Sequence, residues 1–123
     1  MLKILFKGKR EDNGEWVEGM PCATEKSGIY AIQTLQGGIF DIIPETLGQM
    51  VLNDKNGKKM FDGDIVKNEY EKGKYQFFKI TYSERMSCWL AENKYGMVGN
   101  LYNVMGDMEY IGNIHDNPEL LKG

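Results

Sequence analysis

Asn53-Asp54-Lys55-Asn56-Gly57-Lys58-Lys59-Met60-Phe61-Asp62-Gly63-Asp64-Ile65-Val66 sets two turn signals around the apolar pair Met60-Phe61 and then opens a strand. Asn56-Gly57 is the dipeptide that most readily takes the two positive φ values of a type I′ hairpin turn, so a tight hairpin is predicted there. Gly63, between Asp62 and Asp64, predicts a second bend with positive φ, at a place where a side chain would clash. Ile65 and Val66 begin an extended run. The stretch holds no nucleophile, general base or phosphate cradle. Its special residues specify backbone geometry.

On either side, the chain reads as short strands punctuated by glycine. Leu2, Ile4 and Phe6 alternate with Lys3, Leu5 and Lys7, the period-two pattern of a half-buried strand. Asp12-Asn13-Gly14-Glu15 is a tight turn, and Trp16-Val17 restarts extension to make a first hairpin. Ile29 to Ile32 and Ile39 to Ile43, separated by Gln36-Gly37-Gly38, suit a second. Pro44 ends that strand because it lacks an N–H for the ladder, and Pro44 to Gly48 predicts a single helical turn with proline at its first position. Beyond the opening stretch, Asp64 to Tyr70 is a strand, Glu71 to Lys74 a polar turn, and Tyr75 to Tyr82 a strand rich in aromatic and branched residues. Cys88 to Ala91 pairs next. Gly96 to Gly106 is compatible with a helical turn, a loop or a short strand. Met108 to Ile114 is the last strand, and Asn117-Pro118-Glu119-Leu120-Leu121 predicts an asparagine-capped helical turn. Short strands at regular spacing with turn signals between them favour a mainly β fold, a small barrel or sandwich of antiparallel strands with one or two helical turns.

Four motifs in this order carry a family resemblance. Asp54 to Val66 resembles the hallmark of the YopX family of bacteriophage and prophage proteins, which runs roughly DKNGKxI-[YF]-[ED]-GDIV. Leu5-Phe6-Lys7-Gly8-Lys9-Arg10 with Asn13 to Gly19 is similar to that family's opening LFRGKR…NGEWVYG. Ile43 to Gln49 resembles its central P-E-T-[VIL]-GQ, and Glu109 to Leu121 its closing E-V-I-GNI-Y-ENPELL. Glu18 stands where tyrosine is usual, and Met50-Val51-Leu52 where [YF]-T-G-L is usual. The resemblance implies a phage-encoded, mainly β protein, and it brings no assigned biochemical activity with it.

Length and composition fit this picture. At 123 residues the chain suits one domain, residues 1–123. Leu, Ile, Val and Phe make up about 24% of it, above the roughly 20% below which disorder is expected. Cys22 and Cys88 lie far apart and are expected to be reduced, half-buried thiols. Met1 to Phe6 is followed at once by Lys7, Lys9 and Arg10, without the apolar core of a secretory signal. No run approaches the ~18 apolar residues that span a membrane, so the bacterial cytoplasm is the expected compartment.

If Gly57 were the sixth residue of a calcium loop, positions one and twelve would be Leu52 and Gly63, where acidic ligands belong. A looser magnesium or calcium site shared by Asp62 and Asp64 would make a divalent-cation enzyme; turn capping by those aspartates accounts for them more simply. One histidine and two distant cysteines lack the paired spacing of a zinc site. His115, the only histidine, would have to serve any His-based acid, base or triad, with Cys22 or Cys88 as nucleophile. A turn residue is the simpler account, since the resemblance puts tyrosine there. No phosphate loop or dinucleotide fingerprint is present. No catalytic residue, cofactor or metal ligand is therefore assigned.

The remaining candidates are surfaces. Lys55, Lys58 and Lys59 on the central hairpin, and the outward-facing member of Phe77/Phe78, are the expected interface residues, because neighbours on a strand point to opposite faces. Asn13, Gly14, Asn56, Gly57, Asp62, Gly63, Asp64, Gly112, Asn113 and Pro118 are expected to shape turns. The leading expectation is a non-enzymatic module that binds another protein or itself. The alternative is a nucleic-acid-binding small barrel using Lys3, Lys7, Lys9, Arg10 and the lysine hairpin with aromatic stacking. A formal net charge of −3 works against it, since phosphate neutralisation supplies most of such affinity.

Overall fold

A computed structural model describes residues 4–24, 28–96, 98–100 and 108–121. Lys3, Leu2 and most of the unassigned stretch from Gly96 to Gly106 therefore lie outside the described residues. The chain forms two compact units, residues 1–50 and 51–123, and its strands make two antiparallel sheets. No closed barrel is found among the described residues; the barrel-or-sandwich expectation reduces to a mainly β fold. No helix of the described residues is long and apolar enough to cross a membrane.

In the first unit, β1 (Phe6–Lys9) and β2 (Trp16–Thr24) form the first hairpin, paired Phe6 to Gly19 and Lys9 to Trp16. The connection is closed by Arg10 N–H donating to the Glu15 carbonyl at 2.8 Å, and the Asn13 side chain accepts the Glu15 N–H at 2.9 Å. Gly14 takes φ +74°. β3 (Gly28–Thr34) and β4 (Ile39–Asp41) form the second hairpin, after which Pro44–Thr46 make one 3-10 turn. β5 (Gly48–Asn53) then pairs with β1, giving the order β4-β3-β2-β1-β5. The first strand inverts the expected face. Leu5 and Lys7 are buried while Ile4 is 54% exposed. Lys7 tolerates this because its stem is apolar and its ammonium lies 4.5 Å from the centre of the Trp16 ring.

The second unit begins within β5 at Val51. β6 (Lys59–Phe61) follows β5 in sheet order, and β7 (Asp64–Glu71), β8 (Lys74–Ser83), β9 (Cys88–Glu92), β10 (Val98–Asn100) and β11 (Glu109–Asn113) make a five-stranded sheet ordered β10-β9-β8-β7-β11. Its core contains Met60, Val66, Phe78, Ile80, Ala91 and Met108, with Val51, Leu52 and Trp89 packed against them. Val66 faces Phe78 and Ile80 faces Ala91 across strands, so alternate residues of one strand set fill a single apolar layer. The chain ends in a 3-10 turn, Pro118–Leu121. Both cysteines are free and partly exposed.

Candidate functional site: the signature turns and the outer face of the second sheet

The lysine hairpin is not a type I′ turn. Gly57 has φ +83°, but among the described residues only Ser87 is a non-glycine with positive φ, so Asn56 keeps an ordinary backbone. Lys55, Asn56 and Gly57 form a three-residue loop instead, with Asp54 N–H donating to the Lys58 carbonyl at 2.8 Å and Gly57 N–H to the Asp54 carbonyl at 3.0 Å. The Asp54 side chain decides the outcome. One of its oxygens accepts the N–H groups of Asn56 and Lys58, both at 2.8 Å, and the other accepts the Tyr110 N–H at 2.9 Å. A single carboxylate thus closes the loop and fastens it to β11. Burial pushes the Asp54 carboxyl up, but the N–H groups of Tyr110, Lys58 and Asn56 and the charge of Lys58 outweigh it and hold the carboxyl below its ordinary value.

The second bend behaves as expected in conformation but not in cause. Gly63 has φ +89° in the two-residue connection from β6 to β7. An added Cβ would meet Ile114 only at 3.6 Å, an ordinary contact, so the left-handed backbone and not a clash selects glycine. Gly63 N–H donates to the Ile80 carbonyl and its own carbonyl accepts the Ile114 N–H, both at 2.9 Å. Asp64 is fully buried and accepts the Phe61 N–H at 2.7 Å. Asp62 is half-buried, and burial raises its carboxyl pKa against the pull of His115 and Lys79. Among the described residues, no three His, Cys, Asp or Glu side chains are placed to share a metal ion.

Asn113 lies opposite Asp64 and gathers the closing motif. Its side-chain oxygen accepts the N–H groups of His115 and Asp116 at 2.9 Å, and its amide donates to Asp116 at 3.2 Å. His115 is therefore a partly exposed turn residue. Asn117 does not cap the Pro118 turn as expected; its side chain turns back to accept the Asn113 N–H at 3.3 Å. Gly112 makes room for it, since a Cβ there would stand 2.5 Å from the Asn117 oxygen. All of these motif residues meet within the second unit.

The expected interface residues divide. Phe78 is in the core, 8% exposed, and is no surface residue; Phe77, on the opposite side of β8, is 40% exposed. Tyr75 shares the Phe77 side and is 45% exposed. Across strands, Phe77 pairs with Lys67, Lys67 with Glu109, and Tyr75 with Glu69. The Lys67 ammonium lies 3.5 Å from Glu109 and 4.6 Å from the centre of the Tyr75 ring. Lys55 joins this group: its N–H donates to the Met108 carbonyl at 3.0 Å, and with Lys67, Glu69, Tyr75 and Glu109 it lines a cleft of about 180 Å³. Lys58 instead covers the Tyr110 ring at 4.2 Å, and Lys59 is partly buried on β6. Tyr75 could have been found from its spacing to Phe77. Lys67 and Glu109 could not, because their meeting depends on pairing between strands more than forty residues apart.

In the first unit a cleft of about 310 Å³ is lined by Glu11, Asp12, Ile39, Phe40 and Asp41. Arg10 lies over Phe40 at 4.2 Å and bonds both Asp12 oxygens, at 2.9 and 2.7 Å. The basic groups named from the opening motif thus face rings or carboxylates of their own unit, with Lys9 also 5.9 Å from Trp16.

No curated protein matches the chain. Among solved structures it is similar to the crystal structure of protein EF1440 from Enterococcus faecalis, with a TM-score of 0.67 and 24% identity over 98% of this chain and 99% of that one. That likeness concerns the fold. The YopX protein family model matches residues 5–122, running through both units and all four motifs. This chain belongs to the YopX family.

Proposed function

We propose that this chain is a phage- or prophage-derived, non-enzymatic module of the bacterial cytoplasm that works as one domain by binding protein. The observation that carries this is the pair Tyr75 and Phe77, aromatic and exposed on the outer side of β8 and bracketed by charged residues of β7, β11 and the Lys55 loop. Large aromatics in a polar rim are the composition of a protein-binding centre, where rings supply buried area and the rim excludes water. The signature residues support the same reading, because their polar atoms are spent on backbone N–H groups. Nucleic-acid binding draws less support, with Lys7, Arg10 and Lys58 already lying over aromatic rings.

Site-specific photo-crosslinking tests this reading. A benzophenone amino acid at position 77, expressed in the bacterial host, is expected to give a discrete protein adduct, whereas the same group at exposed Lys72 gives none. Equal adduct patterns at the two positions would contradict it. A salt-sensitive gel shift with DNA that survives Phe77→Asp would move the function to the alternative class.

A further inference from the structure

The lining of the cleft carries both signs in equal number. Lys55 and Lys67 stand against Glu69 and Glu109 around the cleft, with Tyr75 in its wall and Phe77 alongside. Lys67 and Glu109 already pair within the chain. Among the described residues the Lys55 ammonium has no such partner, and exposed Glu69 accepts only the Gly73 N–H, at 3.3 Å. Among the described residues one cation and one anion are therefore left over on a face with two exposed aromatic rings.

We propose that a second copy of this chain covers this face in a two-fold contact, with Lys55 of one copy opposite Glu69 of the partner subunit and Tyr75 and Phe77 at the centre. A two-fold contact sets a surface against itself, so the surface must be self-complementary. A face of one sign repels its own copy. A face with a spare charge of each sign attracts it, and an unrelated partner would impose no such balance. The proposal rests on the protein-binding reading of the same face and names its occupant.

Sedimentation velocity over a range of concentrations tests it on the full chain. The protein is expected to sediment as a dimer and Phe77→Asp as a monomer with an unchanged circular dichroism spectrum. Lys55→Glu and Glu69→Lys should each weaken association by about tenfold or more, and the double reversal should restore it. Both charged positions are exposed, so this arm stands even if Phe77→Asp does not fold. A chain that is monomeric at every concentration, or a dimer indifferent to the reversals and their combination, overturns the proposal. A monomer that still gives a discrete adduct to another protein from position 77 overturns the two-fold contact alone. A monomer with no adduct removes the protein-binding reading as well.

Discussion

The loop Lys55–Gly57 and the turn Asp62–Gly63 stand a few residues apart, and both rely on a left-handed glycine. They treat their aspartates in opposite ways. Asp54 receives three backbone N–H groups and is held ionised. Asp62 is half-buried with burial as its dominant influence, and its carboxyl is pushed up. An aspartate beside a glycine is thus not one signal but two. What separates them is how many donors the fold aims at the carboxylate.

The largest effect expected is at Asp54. Replacing it with alanine strands the Tyr110, Asn56 and Lys58 amides, and bonds to a charged group contribute about 1.5–3 kcal/mol each with strong overlap. A loss of about 3 kcal/mol in urea unfolding is predicted, against less than about 1 kcal/mol for Asp62→Ala. Equal losses at the two positions would break the comparison.

Next come the glycines, which separate conformation from space. Gly63→Asn should cost clearly less than Gly63→Val, because asparagine tolerates the left-handed region and a branched residue resists it by about 1–2 kcal/mol. Gly112→Ala should cost at least as much, and Asn117→Gly in the same chain should recover part of the loss by removing the obstructing oxygen. Thermal unfolding of the four variants reads both. Equal losses for Gly63→Asn and Gly63→Val, or no recovery of Gly112→Ala by Asn117→Gly, would argue against the distinction.

The pH dependence gives opposite signs. Asp54 has a folded pKa below the ordinary carboxylate value near 3.8, so its contribution is present above that value and is lost as pH falls through the depressed one. Asp62 has a folded pKa above it, so its neutral form favours the fold at low pH and that contribution is lost as pH rises through the raised value. Asp54→Asn should therefore flatten the acid limb of the stability curve. Asp62→Asn should be no worse than the parent at neutral pH and lose that advantage in acid. The smallest effect belongs to the half-exposed Lys67–Glu109 pair, where Glu109→Gln should change stability by under about 1 kcal/mol.

Much of the fold was legible in the residues. Gly14, Gly57 and Gly63 marked left-handed turns, Pro44 and Pro118 opened single 3-10 turns, and the strands of the second sheet followed their apolar runs. What escaped depended on distance along the chain. Asn56-Gly57 read by itself predicts a type I′ turn; the Asp54 carboxylate, tied to Tyr110 fifty-six residues away, selects another. Leu5 rather than Ile4 turns inward, a face that Lys7 tolerates by resting on Trp16. Asn117 leaves its helical turn because the Asn113 N–H claims it. The candidate face was half legible: Phe77 and Phe78 had to point apart, but only the pairing of Val66 with Phe78 put Phe78 inside.

Amide hydrogen exchange at Tyr110, Asn56 and Lys58 tests most directly whether the signature holds backbone in place. In the parent protein these three amides should be protected together, and Asp54→Ala should release all three by more than it releases the Gly63 amide, which bonds to Ile80 instead. Rapid exchange at the three amides in the parent, or protection untouched by the substitution, would contradict the account.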